Sequence, residues 1–397
     1  MSQRLNNLIA EFPRQFWILF GGTLINSTGS GMVFPFLTLY LHQRLNLSMT
    51  LVGVILSVWA ISALVGQLAG GSLADQLGRK RLMAASLIAS AFIMAAFGFA
   101  DSVVTATGIV VLAGFSAALY QPARDAMIAD LVESNKRSQA YSLIRVVANL
   151  GIAIGPAIGG FLASRSYLIT FLGNASATFT FFLITLFLVR ETKPAAAVSR
   201  HQVNGGSLLA VLRDVRFVVF CMACILTALQ AAQMMTVLPV YMKTQFGLGE
   251  NLYGWVMTTN AGMVVLLQFP ITRATGKVPR LFLIAMGAIL YAAGVGSIAL
   301  GSTFPHFIAS MAIMTLGEMI TVPTATAITA NLAPSEMRGR YMGMLGLTWS
   351  VGYGTGPMLG GLISDYIAPR ALWPITACAG IVSALVFLAL ARGQPRS

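Results

Sequence analysis

The chain is a succession of long apolar runs separated by short polar or Gly/Pro-rich breaks. A helix of about 20 apolar residues rises roughly 30 Å, the thickness of the hydrocarbon layer of a bilayer. The runs predict twelve membrane spans, near residues 16–41, 50–73, 82–100, 104–131, 139–163, 167–189, 215–242, 251–272, 281–301, 304–331, 339–364 and 372–391. The longest break, residues 190–214, divides them six and six. Within it, Lys193-Pro194 and Asn204-Gly205-Gly206-Ser207 read as linker, and Leu208–Val215 as a short amphipathic helix on the inner membrane surface. The expected organisation is a six-helix bundle over 1–189, a cytoplasmic linker over 190–214 and a second six-helix bundle over 215–397.

Shifting the chain on itself by 201 residues aligns Pro122–Leu162 with Pro323–Ile363 without a gap. The alignment pairs Pro122 with Pro323, Gly151 with Gly352, Gly155 with Gly356, Pro156 with Pro357, Gly159 with Gly360 and Gly160 with Gly361. Because six spans separate the copies, both halves are expected to enter the membrane in the same sense, as a parallel repeat about an axis along the bilayer normal. The predicted fold class is thus an all-α polytopic membrane protein with 12 transmembrane helices in two parallel six-helix repeats.

Composition agrees with that pattern. Of 397 residues, 57% are hydrophobic and 9% charged, against about 25% charged in a soluble domain. The net charge of +13 would suggest nucleic acid on a soluble chain, but the placement of the basic residues decides otherwise. Nineteen of the 25 fall in the loops on one side, four (Arg44, Arg165, Lys243, Arg370) on the other, and Arg124 and Arg145 lie within spans. The positive-inside rule then puts both termini in the cytoplasm, and the excess charge becomes a topology signal with no nucleic-acid partner implied. Cys221 and Cys224 form a C-x-x-C inside an apolar run, with no second pair or histidine to complete a zinc site. Only His42, His201 and His306 occur, none beside acids within a span. No enzyme activity, metal or cofactor is therefore expected.

The break after the second span reads Gly71-Ser-Leu-Ala-Asp75-Gln-Leu-Gly78-Arg79-Lys80-Arg81. Gly71 would admit a close helix neighbour, Gly78 would make the turn, and Asp75 would lie within reach of Arg79. In the fifth span, Gly151, Gly155 and Gly159 share one helix face, with Pro156 and Gly160 beside them, a face suited to close packing. Together these resemble the loop signature of the major facilitator superfamily and the fifth-span antiporter motif of its twelve-span drug:proton antiporters. The loop departs from the family pattern at Gln76, where a basic residue is usual, and the fourth span has Val110 where the family carries an arginine implicated in proton transfer. The resemblance implies a cytoplasmic charge cluster of Asp75, Arg79 and Asp130. It also implies a cavity lined by spans 1, 4, 7 and 10, which here offer Asn26, Met32, Phe34, Tyr120, Gln121, Gln230, Gln233, Met234, Met235 and Glu318.

Ionisable groups within spans are costly and mark functional positions. Glu318 lies near mid-bilayer in the tenth span, with no Lys or Arg on the same run, and is the expected proton-coupling carboxyl. Asp125 and Arg145 lie at matching depths in neighbouring antiparallel spans and are expected to form an ion pair with a structural or coupling role. The expected function is secondary export of hydrophobic or cationic small molecules in exchange for protons by alternating access. The alternative is export of an endogenous sugar, amino acid or lipid on the same fold. The expected partners are a small-molecule substrate, protons and the lipid bilayer, for a monomer in a bacterial plasma membrane.

Overall fold

The structure, a computed structural model, describes residues 10–134, 136–192, 211–334 and 337–392, with the side chains of Ser138, Arg338 and Gly339 left undescribed. Every regular element among these residues is helical. In chain order they are α1 (Arg14–Arg44), α2 (Met49–Leu77), α3 (Arg79–Phe97), α4 (Val103–Leu131), α5 (Arg137–Ala163) and α6 (Tyr167–Leu188). There follow α7 (Val215–Thr236), α8 (Leu238–Phe246), α9 (Glu250–Ala274), α10 (Arg280–Ser297) with a 3₁₀ turn at Ile298–Leu300, α11 (Phe304–Leu332), α12 (Arg338–Tyr366) and α13 (Leu372–Arg392). Among the described residues, nine helices are long and apolar enough to cross a bilayer: α2 to α7, α10, α11 and α13. Helices α1, α9 and α12 coincide with the first, eighth and eleventh expected spans, and each contains an internal proline.

Two elements differ from expectation. The seventh run is broken: α7 ends at Thr236 and α8 begins at Leu238, with Pro239 in its first turn, since proline has no N–H to give a preceding carbonyl. Helix α3 begins at Arg79, so Arg79-Lys80-Arg81 form its first turn instead of a loop. Of the predicted amphipathic helix, residues 208–210 lie outside the described residues, as do 193–207. Val211 and Leu212 are helical, and the Asp214 carboxylate then caps α7 by accepting from Phe217 N–H at 3.0 Å.

The chain falls into two compact units, the described parts of Met1–Tyr40 with Val58–Ser199 and of Leu41–Ser57 with Arg200–Ser397. Each has a core at corresponding helix ends. In the first, Phe12, Phe16, Leu82, Met83, Met127 and Phe181 cluster; in the second, Phe217, Phe220, Ile284, Ile328, Tyr341 and Phe387 do. Cys221 and Cys224 are free thiols buried in that second core. Within the second unit the Asp365 carboxylate also accepts from the N–H groups of Met49 and Thr50, at 3.2 and 2.7 Å. Large apolar side chains such as Leu68, Val104, Phe187 and Phe269 stand exposed, as a lipid-facing surface requires.

The internal repeat recurs in packing. A Cβ added at Gly151 would lie 2.7 Å from Ser27 Cβ, one at Gly155 2.6 Å from Gly31 Cα, and one at Gly159 2.3 Å from Met32 O, so the glycine face of α5 lies against the backbone of α1. In the second unit Gly352 and Gly356 face Ala228 and Ala232 of α7 at 2.3 and 2.5 Å, and Gly360 faces Gln233. Both halves thus seat the same glycine-rich helix on their own first helix. Gly71 takes no part in close packing, since nothing lies within 4 Å of its virtual Cβ. The close crossing of α2 and α4 falls instead at Gly66, 2.4 Å from Phe115 O, and Gly70, 3.1 Å from Pro122 Cγ.

Candidate functional site

Three polar constellations stand out, two in the first unit and one in the second. At the α2–α3 turn, Gly78 has φ +99°, a conformation that side-chain-bearing residues rarely adopt. The turn sets Arg79 between two carboxylates, 3.4 Å from Asp75 and 3.1 Å from Asp130. The second approach is an ion pair without hydrogen-bond alignment at Nε. Asp75, Arg79 and Asp130 are therefore brought together as expected from the resemblance.

Sequence reasoning missed Glu191 and Thr192. The Glu191 carboxylate accepts from the N–H groups of Arg79 and Lys80 at 3.0 and 3.2 Å, supplying the cap that Gly78 cannot give α3. Thr192 Oγ1 donates to Asp130 at 3.0 Å. A carboxylate at a helix N-terminus also meets the positive end of the helix dipole.

Further along α4, Asp125 does not pair with Arg145. Its Oδ1 takes both Nε and Nη2 of Arg124, at 2.9 and 2.7 Å, and Arg124 lies over the Tyr120 ring at 5.3 Å. The adjacent guanidinium satisfies Asp125 locally, while Arg145 is exposed on α5. What links α5 to Asp125 is the Tyr141 hydroxyl, which donates to the Asp125 backbone carbonyl at 2.9 Å.

The first unit also encloses a cavity of about 120 Å³ among α1 to α4 and α6, with Asn26, Phe34 and Tyr120 on its wall. Phe34 meets Trp59 at 5.3 Å between ring centroids, giving an apolar side. A polar network adjoins it: the Thr178 hydroxyl donates to Oδ1 of Asn26 and of Asn174, at 3.3 and 3.2 Å, Asn174 Nδ2 donates to Gly29 O, and the Ser90 and Ser116 hydroxyls bond each other. Trp59, Asn174 and Thr178 were not anticipated, because they come from α2 and α6.

Other expected lining residues lie elsewhere. Met32 contributes its backbone to the Gly159 contact and Gln121 is exposed. Gln230 and Gln233 are buried in helix contacts, Gln230 facing Gly380 and Gln233 donating to Gly356 O at 2.8 Å. Met234 is buried, its carbonyl taken by the Tyr253 hydroxyl at 3.0 Å, and Met235 is half-buried.

The third constellation centres on Glu318, the middle residue of α11, 14 residues from either end. Gly317 sets it close to α10, for its virtual Cβ would lie 2.5 Å from Tyr291 N. Glu318 has a partner that its own helix did not reveal: Asn260 Nδ2 of α9 donates to Oε2 at 2.7 Å and to Thr315 Oγ1 at 3.0 Å. Helices α10 and α12 also pack against α11. Three helices of the second unit thus pack against the helix that carries this half-buried carboxyl, and among the described residues no cationic side chain forms an ion pair with it. Such a group can carry a proton or hold a cation.

The family model of the Major Facilitator Superfamily matches residues 19–249 and 219–397. The chain is 28% identical over 375 residues to a Na(+), Li(+), K(+)/H(+) antiporter of Planococcus maritimus, covering 87% of this chain and 88% of that protein. It is 24% identical over 386 residues to the multidrug resistance protein MdtH of Aeromonas hydrophila, covering 96% of each. Among solved structures it resembles the nucleoside transporter NupG with a TM-score of 0.80 at 16% identity, over 96% of this chain and 100% of that one, a likeness of fold. Membrane-crossing helices, a twofold repeat in sequence and packing, and the two family matches lead to one assignment: this chain belongs to the Major Facilitator Superfamily of membrane transporters.

Proposed function

We propose that this protein is a drug:proton antiporter that exports hydrophobic or cationic small molecules across a bacterial plasma membrane. In this reading it spans the bilayer twelve times with both termini cytoplasmic, its six-helix halves are joined by the 190–214 linker, and it works as a monomer by alternating access. The observation that carries the proposal is Glu318 at the centre of α11, held by Asn260 and, among the described residues, in no ion pair with a cationic side chain. When protonated, such a carboxyl crosses low dielectric cheaply; when ionised, it attracts a cationic substrate. The first-unit cavity carries an aromatic pair together with amides and hydroxyls, a mixed lining that suits part of an amphipathic organic molecule, and at about 120 Å³ it holds a fragment of one and not the whole. The glycine faces of α5 and α12 support close helix packing in both halves. The relatives of this chain include one named for multidrug resistance and one named for cation/proton antiport.

The test is substrate-dependent proton movement in reconstituted vesicles carrying an internal pH dye. Adding a lipophilic cation should drive proton movement with wild type and not with Glu318→Gln; equal flux from both would remove Glu318 from coupling. A parallel arm with sodium or potassium chloride alone reports whether inorganic cations are cargo. Export of a hydroxylated metabolite is the second reading, favoured by the Asn26–Thr178–Asn174 network, and a thermal-shift screen of sugars and amino acids addresses it.

A further inference from the structure

We propose that the second unit carries a binding site for an anionic phospholipid, with the lipid phosphate held between Arg216 and Arg280. Four helix ends meet there: the starts of α7 and α10 and the ends of α11 and α13. Between them lies a crevice of about 340 Å³, within the range of roughly 300–1,000 Å³ usual for ligand sites. Phe220, Ile328 and Leu332 line it, Phe282 stands at its edge, and the two arginines flank it.

The guanidiniums are fixed in place without being neutralised. Arg216 Nη2 donates to Leu390 O at 3.0 Å and Arg280 Nη1 to Ala327 O at 3.4 Å, so backbone carbonyls of α13 and α11 hold both. The nearest acid in sequence, Asp214, is occupied by Phe217 N–H and the Tyr341 hydroxyl. Among the described residues the ion pairs engage Arg79, Arg124 and Lys243, and neither Arg216 nor Arg280. Each arginine therefore keeps free donors and a full charge for an incoming anion.

The surroundings identify the anion. On α7, Val215, Val219 and Met222 form an exposed apolar stripe, and on α10 Phe282 and Ile289 form another. The arginines thus stand where lipid-facing helix surfaces meet the basic end of the bundle, the level of phospholipid headgroups. Basic pockets between membrane helices at this level attract anionic lipid. A soluble anion would match the arginines and leave the aromatic and aliphatic wall unfilled; a zwitterionic lipid would fill the wall and leave net positive charge. An anionic phospholipid satisfies both.

The test titrates full-length protein in neutral detergent with phosphatidylglycerol or with phosphatidylcholine of identical acyl chains, counting bound lipid by native mass spectrometry. Wild type should prefer phosphatidylglycerol. R216Q/R280Q should bind it about thirtyfold more weakly, roughly fivefold for each basic side chain lost. R216K/R280K should retain the preference. R213Q/K277Q, which removes two exposed charges from the same end outside the crevice, should change binding less than about twofold. If R216Q/R280Q does not fold, R280Q alone, at an exposed position, should show about a fivefold loss. Three results would overturn the proposal: equal affinity for the two lipids, equal loss in the R213Q/K277Q control, or competition by millimolar inorganic phosphate as strong as by phosphatidylglycerol.

Discussion

A methyl group added at Gly155 and one added at Gly356 should have different remedies, although the two positions are equivalent in the repeat. At Gly155 the new Cβ would sit 2.6 Å from Gly31 Cα and 2.7 Å from Thr28 O. Carbon atoms in contact prefer about 3.5–4.0 Å, so α1 and α5 would have to separate by about 1 Å. Overpacking of this kind costs about 1–3 kcal/mol, against a helix-propensity gain of up to about 1 kcal/mol for Gly→Ala. Gly155→Ala is therefore expected to destabilise the first unit by about 1–2 kcal/mol. At Gly356 the obstacle is another methyl, Ala232 Cβ at 2.5 Å. Gly356→Ala alone should cost a similar amount, but Gly356→Ala with Ala232→Gly carries the methyl across the interface and should return to within about 1 kcal/mol of wild type. No such exchange exists at Gly155, because its neighbour across the contact is already glycine. The assay is thermal unfolding of purified protein in detergent, with Gly21→Ala and Gly343→Ala as controls, since nothing lies within 4 Å of either virtual Cβ. One kcal/mol corresponds to about 2–4 °C in a unit of this size. The reasoning fails if Gly155→Ala melts no lower than Gly21→Ala, or if the Gly356/Ala232 exchange melts no higher than Gly356→Ala.

Three further outcomes are expected. Asn260→Ala should slow substrate-driven proton movement by about tenfold, the loss of a hydrogen bond of about 1.5 kcal/mol to a chargeable group; an unchanged rate in the vesicle assay would mean Asn260 does not position Glu318. Glu191→Ala removes the cap of α3 and should cost about 1 kcal/mol, read as a lower melting temperature that Glu191→Gln partly restores. Trp59→Ala deletes one side of the aromatic pair in the first-unit cavity and should weaken binding of an apolar substrate by at least about tenfold, by the apolar contact it loses; unchanged affinity in a tryptophan-independent binding assay would place the substrate elsewhere.

Long apolar runs made most helices legible, because hydrocarbon tolerates little other than satisfied helical backbone. The exceptions have local causes. Pro239 divides the seventh run, and α3 starts at Arg79 because a carboxylate more than 100 residues away caps it. The site was legible where chemistry is unusual for its depth, as with Glu318, or where the partners follow a family pattern, as with Asp75, Arg79 and Asp130. It was not legible where helix rotation decides. Gln230 and Gln233 lie on an apolar helix with little pattern to mark its buried face, and packing turned them toward Gly380 and Gly356. Asn260 carried a usable signal, an amide within an apolar run, but only the tertiary fold joins it to Glu318. For Asp125, the nearer cation was its neighbour in sequence, Arg124.

The cap on α3 also bears on how this protein could be cut in two. The last helix of the first unit ends at Leu188, yet the chain beyond it stays fastened: Gln15 Nε2 donates to Arg190 O at 2.7 Å, Glu191 holds the start of α3, and Thr192 holds Asp130. A gene split after Val189 would deprive the first fragment of three fastenings while leaving every helix intact. A split after Thr192 would keep them. Co-expressed halves divided at these two points differ by only three residues, and should differ in whether the first half accumulates as a folded partner.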